Sequence, residues 1–338
     1  HTSGRAWIAS MKIQPPGTEV TPRIRLAAAA DMPQVLILFE EAFRHTISPA
    51  MLHWKYAEGR GQSWGAWDPD GRLLVHCGVF FRRALAAGRP VRAAQLGDLM
   101  ASARKPSGLA RQQSPFAGVI RELLAAQPCP ENPDAICFGF PSDRAMRLGE
   151  RIGVFTPIDR VFNLSFTPAA PEWHADTCAP LKLDAQNSKI LDRLWSVMAA
   201  DLSKQLVGVR DTAYLRWRYL EHPEHHYQLL LVRSHWLKRP LGALVIRGEG
   251  EERELMDIIA PLNNIPRLLK ASREWLGRTG GQRLNLWLSS TYATRFAGLA
   301  DSCEVLEFRI MANPLGPAAI LERFHEAWWL TSGDTDYR

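Results

Sequence analysis

Cysteine is scarce in this chain and follows no ligand-like spacing. The 338 residues include five cysteines, none of them in a Cys-x-x-Cys pair: Cys77, Cys129, Cys137, Cys178 and Cys303. An odd number of scattered cysteines argues against a disulfide framework and against a structural zinc site. The histidine-rich stretch EHPEHHY, residues 221–227, does not have the spacing of a metal-binding helix face. We therefore predict that the chain binds no metal.

Long apolar runs are also missing. No run reaches the roughly 18 residues that a membrane helix needs, and helix-like stretches such as 32–43 are amphipathic. The start lacks the basic region, apolar core and cleavage site of a signal peptide, which predicts a cytoplasmic protein. We interpret residues 1–22 as an N-terminal extension or tag remnant, because HTSGRAWIAS precedes Met11.

The charge is positive but dispersed. Lys and Arg number 41 against 35 Asp and Glu, for a net charge of +6. Such a balance is compatible with an anionic ligand, a polyanion or neither. The sequence has no basic stripe interleaved with aromatic residues, which single-strand nucleic-acid binders use for stacking. The composition therefore argues against nucleic acid as a partner.

Three segments of the chain recur in the same order. The pairs are 51–67 with 214–230, 96–102 with 255–261, and 137–148 with 286–296. The first pair aligns Trp54 and Tyr56 with Trp217 and Tyr219, and the second aligns LGDLMAS with LMDIIAP. An ordered repeat indicates two copies of one unit. Chance similarity between two α/β segments is the alternative.

The repeat predicts the domain organisation. Strand-like and helix-like segments alternate, which is typical of an α/β or mixed α+β fold. We predict two tandem domains, 23–170 and 171–338, joined near the Pro- and Ala-containing segment 167–180. Each domain is expected to have a mixed, mostly antiparallel sheet flanked by helices.

A loop of small and cationic residues interrupts the first copy. In AQLGDLMASARKPSGLARQQSPF, residues 94–116, a strand-like run gives way to this loop, and the helix-like FAGVIRELL follows. Helix N-termini carry unpaired N–H groups and a partial positive charge, so small residues there can form an anion site. Pro115 suits the first turn of the helix.

With this loop, the opening IRLAAAADMPQVLILFEEAF and the later GFPSDRAMRLGERIGV, the chain resembles the GNAT superfamily of acyl-CoA-dependent N-acyltransferases, as two tandem copies. The resemblance implies acetyl-CoA or another acyl-CoA as co-substrate, with its pyrophosphate on a loop written (Q/R)xxGx(G/A). Two registers fit, KPSGLA at 105–110 and RQQSPF at 111–116. They supply as candidate residues Lys105, Gly108, Arg111, Gln112, Ser114 and Phe116.

The resemblance also implies that the backbone of the central strand grips the pantetheine and polarises the thioester carbonyl. By position the gripping residues are Leu99, Met100, Ala101 and Ser102. In the second copy LMDIIAP is followed by LNNIPRLLKASREWL, which has no glycine and offers only Arg267 and Lys270 nearby. We therefore expect one working copy and one degenerate copy.

Attack of an amine on a thioester needs a base, and Asp98 on the central strand is the candidate. The alternative is a structural carboxylate, which Asp257 at the equivalent position of the second copy favours. The family's usual acid, a tyrosine on a later helix, has no match in the first copy, while Tyr292 stands in the second.

The predicted function is transfer of an acetyl or other acyl group to an amine of a small molecule, sugar or peptide. Three alternatives stay open. They are a catalytically degenerate binding or assembly protein, a peptidoglycan-type aminoacyl transferase that uses aminoacyl-tRNA, and a nucleic-acid-binding protein.

Overall fold

Short runs of apolar residues in the second half of the chain form strands that are buried on both faces. The sequences LLLV in 229–232 and LGALVI in 241–246 are buried throughout. Strands without polar alternation are typical of a sheet that helices cover on both sides. A computed structural model describes residues 22–103, 114–127, 136–313 and 322–335 of the chain.

Fourteen strands occur in these described ranges. They are β1 Arg23–Leu26, β2 Gly61–Trp67, β3 Leu73–Ala86, β4 Arg89–Ala101, β5 Ile136–Gly139, β6 Thr156–Phe166, β7 Thr177–Pro180, β8 Leu206–Gly208, β9 Tyr227–Arg233, β10 Pro240–Arg247, β11 Glu252–Ile259, β12 Arg283–Ser289, β13 Ser302–Ala312 and β14 Trp328–Trp329.

Eight α-helices accompany the strands in the same ranges. They are α1 Met32–Phe43, α2 Pro49–Tyr56, α3 Pro115–Ala125, α4 Asp143–Arg151, α5 Ala185–Asp201, α6 Thr212–Leu215, α7 Ile265–Arg278 and α8 Ser290–Phe296. Polar caps start several of them: the side chains of Ser48, Ser114, Ser142, Asp184 and Asp211 accept backbone N–H groups of the first turn. No helix of the described residues is long and apolar enough to cross a membrane.

One continuous sheet carries both halves of the molecule. Its strand order is β1-β2-β3-β4-β5-β13-β6-β12-β11-β10-β9-β7, and β8 joins β14 to β3. Along the main order, neighbouring strands are antiparallel except for two parallel pairs, β4 with β5 and β11 with β12. A helix, α3 or α7, connects the two strands of each parallel pair, because parallel neighbours need a crossover.

The two halves of the sheet repeat the same arrangement. From each edge, four strands lead inward to a fifth strand that is parallel to the fourth. On one side the four are β1, β2, β3 and β4, followed by β5; on the other they are β7, β9, β10 and β11, followed by β12. Asp98 lies on the fourth strand of the first set and Asp257 on the fourth strand of the second. The mixed α/β fold with a sheet flanked by helices is confirmed. The boundaries at residues 22 and 170 stay a prediction.

The closing strands cross between the halves. β6, from the first half of the chain, pairs with β12 of the second half, with Leu164 opposite Leu286. β13, from the second half, pairs with β5 of the first, with Met311 opposite Gly139. β6 and β13 also pair with each other at the centre of the sheet. Each half therefore completes the sheet of the other.

Candidate active site

The parallel strands β4 and β5 part where the candidate site begins. Their pairing runs from Ala93 opposite Ile136 to Leu96 opposite Gly139, and it ends there. β4 continues beside β3 on its other edge as far as Ala101, which pairs with Val75. The backbone of β4 beyond Leu96 therefore has an edge that β5 does not cover.

The direction of the backbone groups on this edge follows from strand alternation. The N–H of Ser102 donates to the carbonyl of Leu74 at 2.8 Å, so it faces β3. Successive residues of a strand point their N–H groups to opposite sides. The N–H group of Met100 therefore also faces β3, whereas the N–H groups of Leu99 and Ala101 face the uncovered edge.

A bulge in β4 sets the position of Asp98. The register with β3 shifts between His76 and Gly78, and Asp98 has a φ of 46°. A left-handed conformation is uncommon outside glycine, although Asp tolerates it, and bulges re-aim side chains beside functional sites. The carbonyl of Asp98 accepts a hydrogen bond from Nδ1 of His76 at 2.8 Å, which holds the bulge in place.

Two donors hold the carboxylate of Asp98. Lys55 Nζ lies 2.7 Å from Oδ1 and the hydroxyl of Tyr56 lies 2.8 Å from Oδ2. Burial opposes ionisation of Asp98, but the charge and hydrogen bond of Lys55 outweigh it, and the pKa lies below its ordinary value. Gly78 lets Tyr56 reach this position, because a Cβ there would lie 2.0 Å from the tyrosine hydroxyl.

Asp98 and Leu99 line a cavity of about 610 Å³. Most of its wall is apolar, including Phe39, Phe43, Ile47, Met51, Phe140, Phe155, Phe308 and Met311. Its ionisable groups include Lys55, Asp98, Glu224 and three histidines, His45, His222 and His225. A concave, largely apolar cleft with a few polar groups is the usual form of a small-molecule site.

Two of these histidines, His222 and His225, come from the second half of the chain. Nδ1 of His222 accepts the backbone N–H groups of Glu224 and His225, and Glu224 accepts a 2.6 Å hydrogen bond from the hydroxyl of Ser48. Burial and the nearby Arg218 lower the pKa of His222 to about 3. Partial burial also lowers the pKa of His225, part of whose side chain stays exposed at the edge of the cleft.

The sequence of EHPEHHY, residues 221–227, was weighed above only for metal-ligand spacing, and its place in this cleft was not predicted. The signal was in the repeat: the stretch follows Trp217, whose counterpart Trp54 precedes Lys55 and Tyr56. The two indole rings stack with centroids 4.8 Å apart, which brings each copy's loop against the other copy. In the described part of the chain, no three His, Cys, Asp or Glu side chains group as a metal site.

The second copy repeats the carboxylate but not the open cleft. Asp257 accepts hydrogen bonds from Arg210 at 2.8 Å and from the hydroxyl of Tyr219 at 3.0 Å. The segment 328–335 lies against this carboxylate, and the Thr331 hydroxyl is 3.3 Å from it. The same segment bonds to both strands of the second parallel pair, through Leu330 to Ser289 and through Ser332 to Leu255.

Some of the residues predicted to bind coenzyme A lie within the described ranges, and others lie outside them. Ser114 caps α3 and accepts the N–H of Ala117 at 3.2 Å, and Phe116 packs half-buried on the adjoining core. Lys105, Gly108, Arg111 and Gln112 lie outside the described residues. The described part of the predicted site therefore consists of the start of α3 and the open edge of β4.

No protein-family model matches the sequence, and a search of curated proteins finds no similar sequence. Solved structures do resemble the fold. A conserved protein of unknown function from Enterococcus faecalis V583, described as a probable N-acyltransferase, aligns with a TM-score of 0.65 and 14% identity over 86% of this chain and 72% of its own. A GCN5-related N-acetyltransferase from Kribbella flavida aligns at 0.62 and 14%, over 86% and 71%.

A more distant match is the N-myristoyltransferase of Saccharomyces cerevisiae with bound myristoyl-CoA and inhibitors. It aligns with a TM-score of 0.54 and 8% identity over 89% of this chain and 81% of its own. The chain therefore has the fold of GCN5-related N-acetyltransferases, as its sequence predicted. At these identities the similarity is one of fold.

Proposed function

We propose that this chain is an N-acyltransferase that uses acyl-CoA and works in the cleft of its first copy. The observation that carries the proposal is the uncovered edge of β4, which meets a cavity of about 610 Å³ at Asp98 and Leu99. The fold shared with known N-acetyltransferases supports it. The acceptor is an amine that enters through this cavity.

The open edge fits a thioester donor. The outward N–H groups of Leu99 and Ala101 can donate to the thioester carbonyl, which stabilises negative charge on that oxygen. Acyl-CoA supplies the activated acyl group. By the family resemblance, the pyrophosphate lies at the start of α3 beside the loop that contains Lys105, Gly108, Arg111 and Gln112.

Two groups of the cleft can take the proton of the attacking amine. Both carboxylate oxygens of Asp98 already accept hydrogen bonds from Lys55 and Tyr56, and its pKa is lowered, so that group is a weak base toward the amine. His225 lines the cleft, and its pKa lies below the ordinary value, which favours the neutral imidazole. The geometry favours His225 as the base and Asp98 as the residue that keeps Lys55 in place.

The division of labour between the copies follows from what lies beside each carboxylate. Asp98 faces a cavity, whereas the segment 328–335 lies beside Asp257, with Asp334 bonded to Arg210 at 2.5 Å. A cleft that already contains its own chain has no space for a second ligand. We therefore assign acyl transfer to the first copy alone.

Calorimetry with coenzyme A, followed by a thiol-release assay with acetyl-CoA over a panel of amines, tests the proposal. We expect binding of one coenzyme A per chain, weakened by about ten- to a hundredfold in Arg111→Ala, since a charged hydrogen bond is lost. Arg267→Ala is the matched control from the second copy, where this side chain bonds to Asp176.

Each alternative gives a different outcome. No binding of coenzyme A to the wild-type chain overturns the proposal and leaves a binding or assembly role. Steeply salt-dependent binding of tRNA, without an effect of acyl-CoA, indicates an aminoacyl-tRNA donor instead. Equal loss of affinity in Arg111→Ala and Arg267→Ala contradicts the division of labour between the copies.

A further inference from the structure

A second cavity lies between the two halves of the chain, beside the stacked pair Trp54 and Trp217. Its volume is about 420 Å³. Its walls come from the far ends of β3 and β4, from α6 with the turn that follows, and from the segment around Trp328. Aromatic rings of Phe81, Tyr214 and Trp217 contribute to this wall. None of these residues belongs to the cleft at Asp98.

Arginine dominates the ionisable groups of this cavity. Four arginines line it, Arg60, Arg82, Arg83 and Arg92, against one acid, Asp334. Two of them pair with acids outside the lining, Arg60 with Glu58 and Arg83 with Asp211. The acid already accepts hydrogen bonds from Arg210 at 2.5 Å and from the N–H of Thr331 at 2.9 Å. The lining itself therefore has an excess of positive groups, and low-dielectric walls strengthen the field of such an excess and concentrate anions.

Two of these arginines, Arg82 and Arg92, also contact aromatic rings or a neutral amide. Arg82 donates to the amide oxygen of Gln95 at 3.0 Å and lies 4.9 Å from the centre of the Trp217 ring. Arg92 lies 4.4 Å from the centre of the Phe81 ring. Guanidinium groups are planar donors that match carboxylates and phosphates and that stack on flat rings. The lining therefore offers both anion recognition and stacking.

Two indole N–H groups of the lining lack an acceptor. The Nε1 atoms of Trp217 and Trp328 are buried, and neither has a hydrogen-bond partner among the described residues. A buried donor without a partner costs free energy, so such groups call for an explanation. Trp64, Trp67 and Trp329 also have a buried Nε1 without a described partner and do not line this cavity, so this feature accompanies the arginine lining and is not specific to the cavity.

We propose that this cavity binds a small organic anion, with an aromatic ring against the tryptophan and phenylalanine faces and a carboxylate or phosphate toward the arginines. An oxyanion supplies acceptors to a lining that is rich in donors. The ring occupies the aromatic part of the wall. The site is separate from the acyl-transfer cleft and does not depend on the proposed acyl transfer.

Calorimetry of the full chain with phenyl phosphate, inorganic phosphate and benzylamine tests this proposal. We expect phenyl phosphate to bind once per chain with a Kd below about 1 mM. Inorganic phosphate, which lacks the ring, should bind at least about tenfold more weakly, and benzylamine should not bind, since its charge is positive. Absence of phenyl phosphate binding, or equal binding of benzylamine, overturns the proposal.

Variants locate the probe. Arg92→Gln, at an exposed side chain, should weaken phenyl phosphate by about tenfold or more, whereas Arg193→Gln on the exposed face of α5 should not. Trp217→Phe keeps a ring but removes the N–H, and it should weaken binding by several-fold. Trp64→Phe is its matched control.

One variant separates this site from the predicted pyrophosphate loop. Arg111→Ala should leave phenyl phosphate affinity unchanged, because that residue belongs to the other site. If Arg111→Ala abolishes binding while Arg92→Gln and Trp217→Phe have no effect, the probe occupies the donor site and the proposal is wrong. Benzoate in place of phenyl phosphate distinguishes a carboxylate from a phosphate ligand.

Discussion

Asp98 and Asp257 are each held by a cation and a tyrosine hydroxyl, but the cations come from different places. Lys55, which directly precedes Tyr56, serves Asp98. In the second copy the residue before Tyr219 is Arg218, and it donates to carbonyl groups of Gly333 and Thr335 instead. Arg210 takes its place on Asp257. The second carboxylate therefore belongs to a network that includes the C-terminal segment, and the first does not.

This difference predicts the behaviour of Asp98→Asn. The substitution removes the carboxylate that pairs with the buried Lys55, whose side chain is 6% exposed, and breaking a buried ion pair costs about 3–5 kcal/mol. We expect a lower Tm, partly restored by Lys55→Met, and substantial acyl transfer by the folded variant. An unchanged Tm with a rate about 10²- to 10⁴-fold lower identifies Asp98 as the base.

The control for this experiment is Asp257→Asn. Arg210 keeps its bond to Asp334 in that variant, so it stays paired. We expect a smaller loss of stability than for Asp98→Asn, measured by thermal unfolding of both variants in the same buffer. A larger loss at Asp257 would contradict the distinction between the two networks.

His222 predicts a pH dependence of stability. Burial holds its pKa near 3 in the folded chain, whereas an unfolded histidine titrates near 6.5. The unfolded state therefore takes up a proton first as the pH falls, and stability is lost below about pH 6.5. His222→Asn keeps a side-chain acceptor but cannot titrate, so its Tm should fall less between pH 7 and pH 5. Equal slopes contradict this.

At the scale of elements, the parting of β4 from β5 creates the proposed donor site. Parallel pairing stops at Leu96, while antiparallel pairing with β3 continues past the bulge at Asp98 to Ala101. The same ending occurs in the second copy, where β11 and β12 pair only to Leu255 opposite Leu286. The difference is that the second opening contacts the segment 328–335. Strand geometry is therefore common to both copies, and the tail distinguishes them.

Proline substitutions test the direction of the backbone groups. Proline has no N–H. Ala101→Pro removes a group that faces the open edge and is assigned to the thioester carbonyl, so we expect acetyl-CoA to bind about tenfold or more weakly with a small change in Tm. Ser102→Pro removes the hydrogen bond to Leu74, so it should lower the Tm more. The reverse pattern in calorimetry and thermal unfolding would contradict the assigned directions.

In the molecule as a whole, sequence patterns predicted those features that depend on residues close together in the chain. The repeat placed Asp98 and Asp257 on equivalent strands, and Pro115 marked the start of α3. The exchange of β6 and β13 could not be read in the same way, since pairing between distant strands is decided by the whole sheet. The position of His225 beside the first cleft and of the tail beside Asp257 depends on that same association of the halves.

The strand exchange predicts that the two halves stay together after the chain is cut. Trp173 is 89% exposed in the segment between β6 and β7, so a specific protease site can be introduced there. β6 on the first fragment pairs with β12 and β13 on the second, and these contacts survive cleavage. We expect the cut protein to elute from gel filtration as one species that separates only in denaturant and still binds coenzyme A. Two separately eluting folded fragments in plain buffer would show that the halves are independent units.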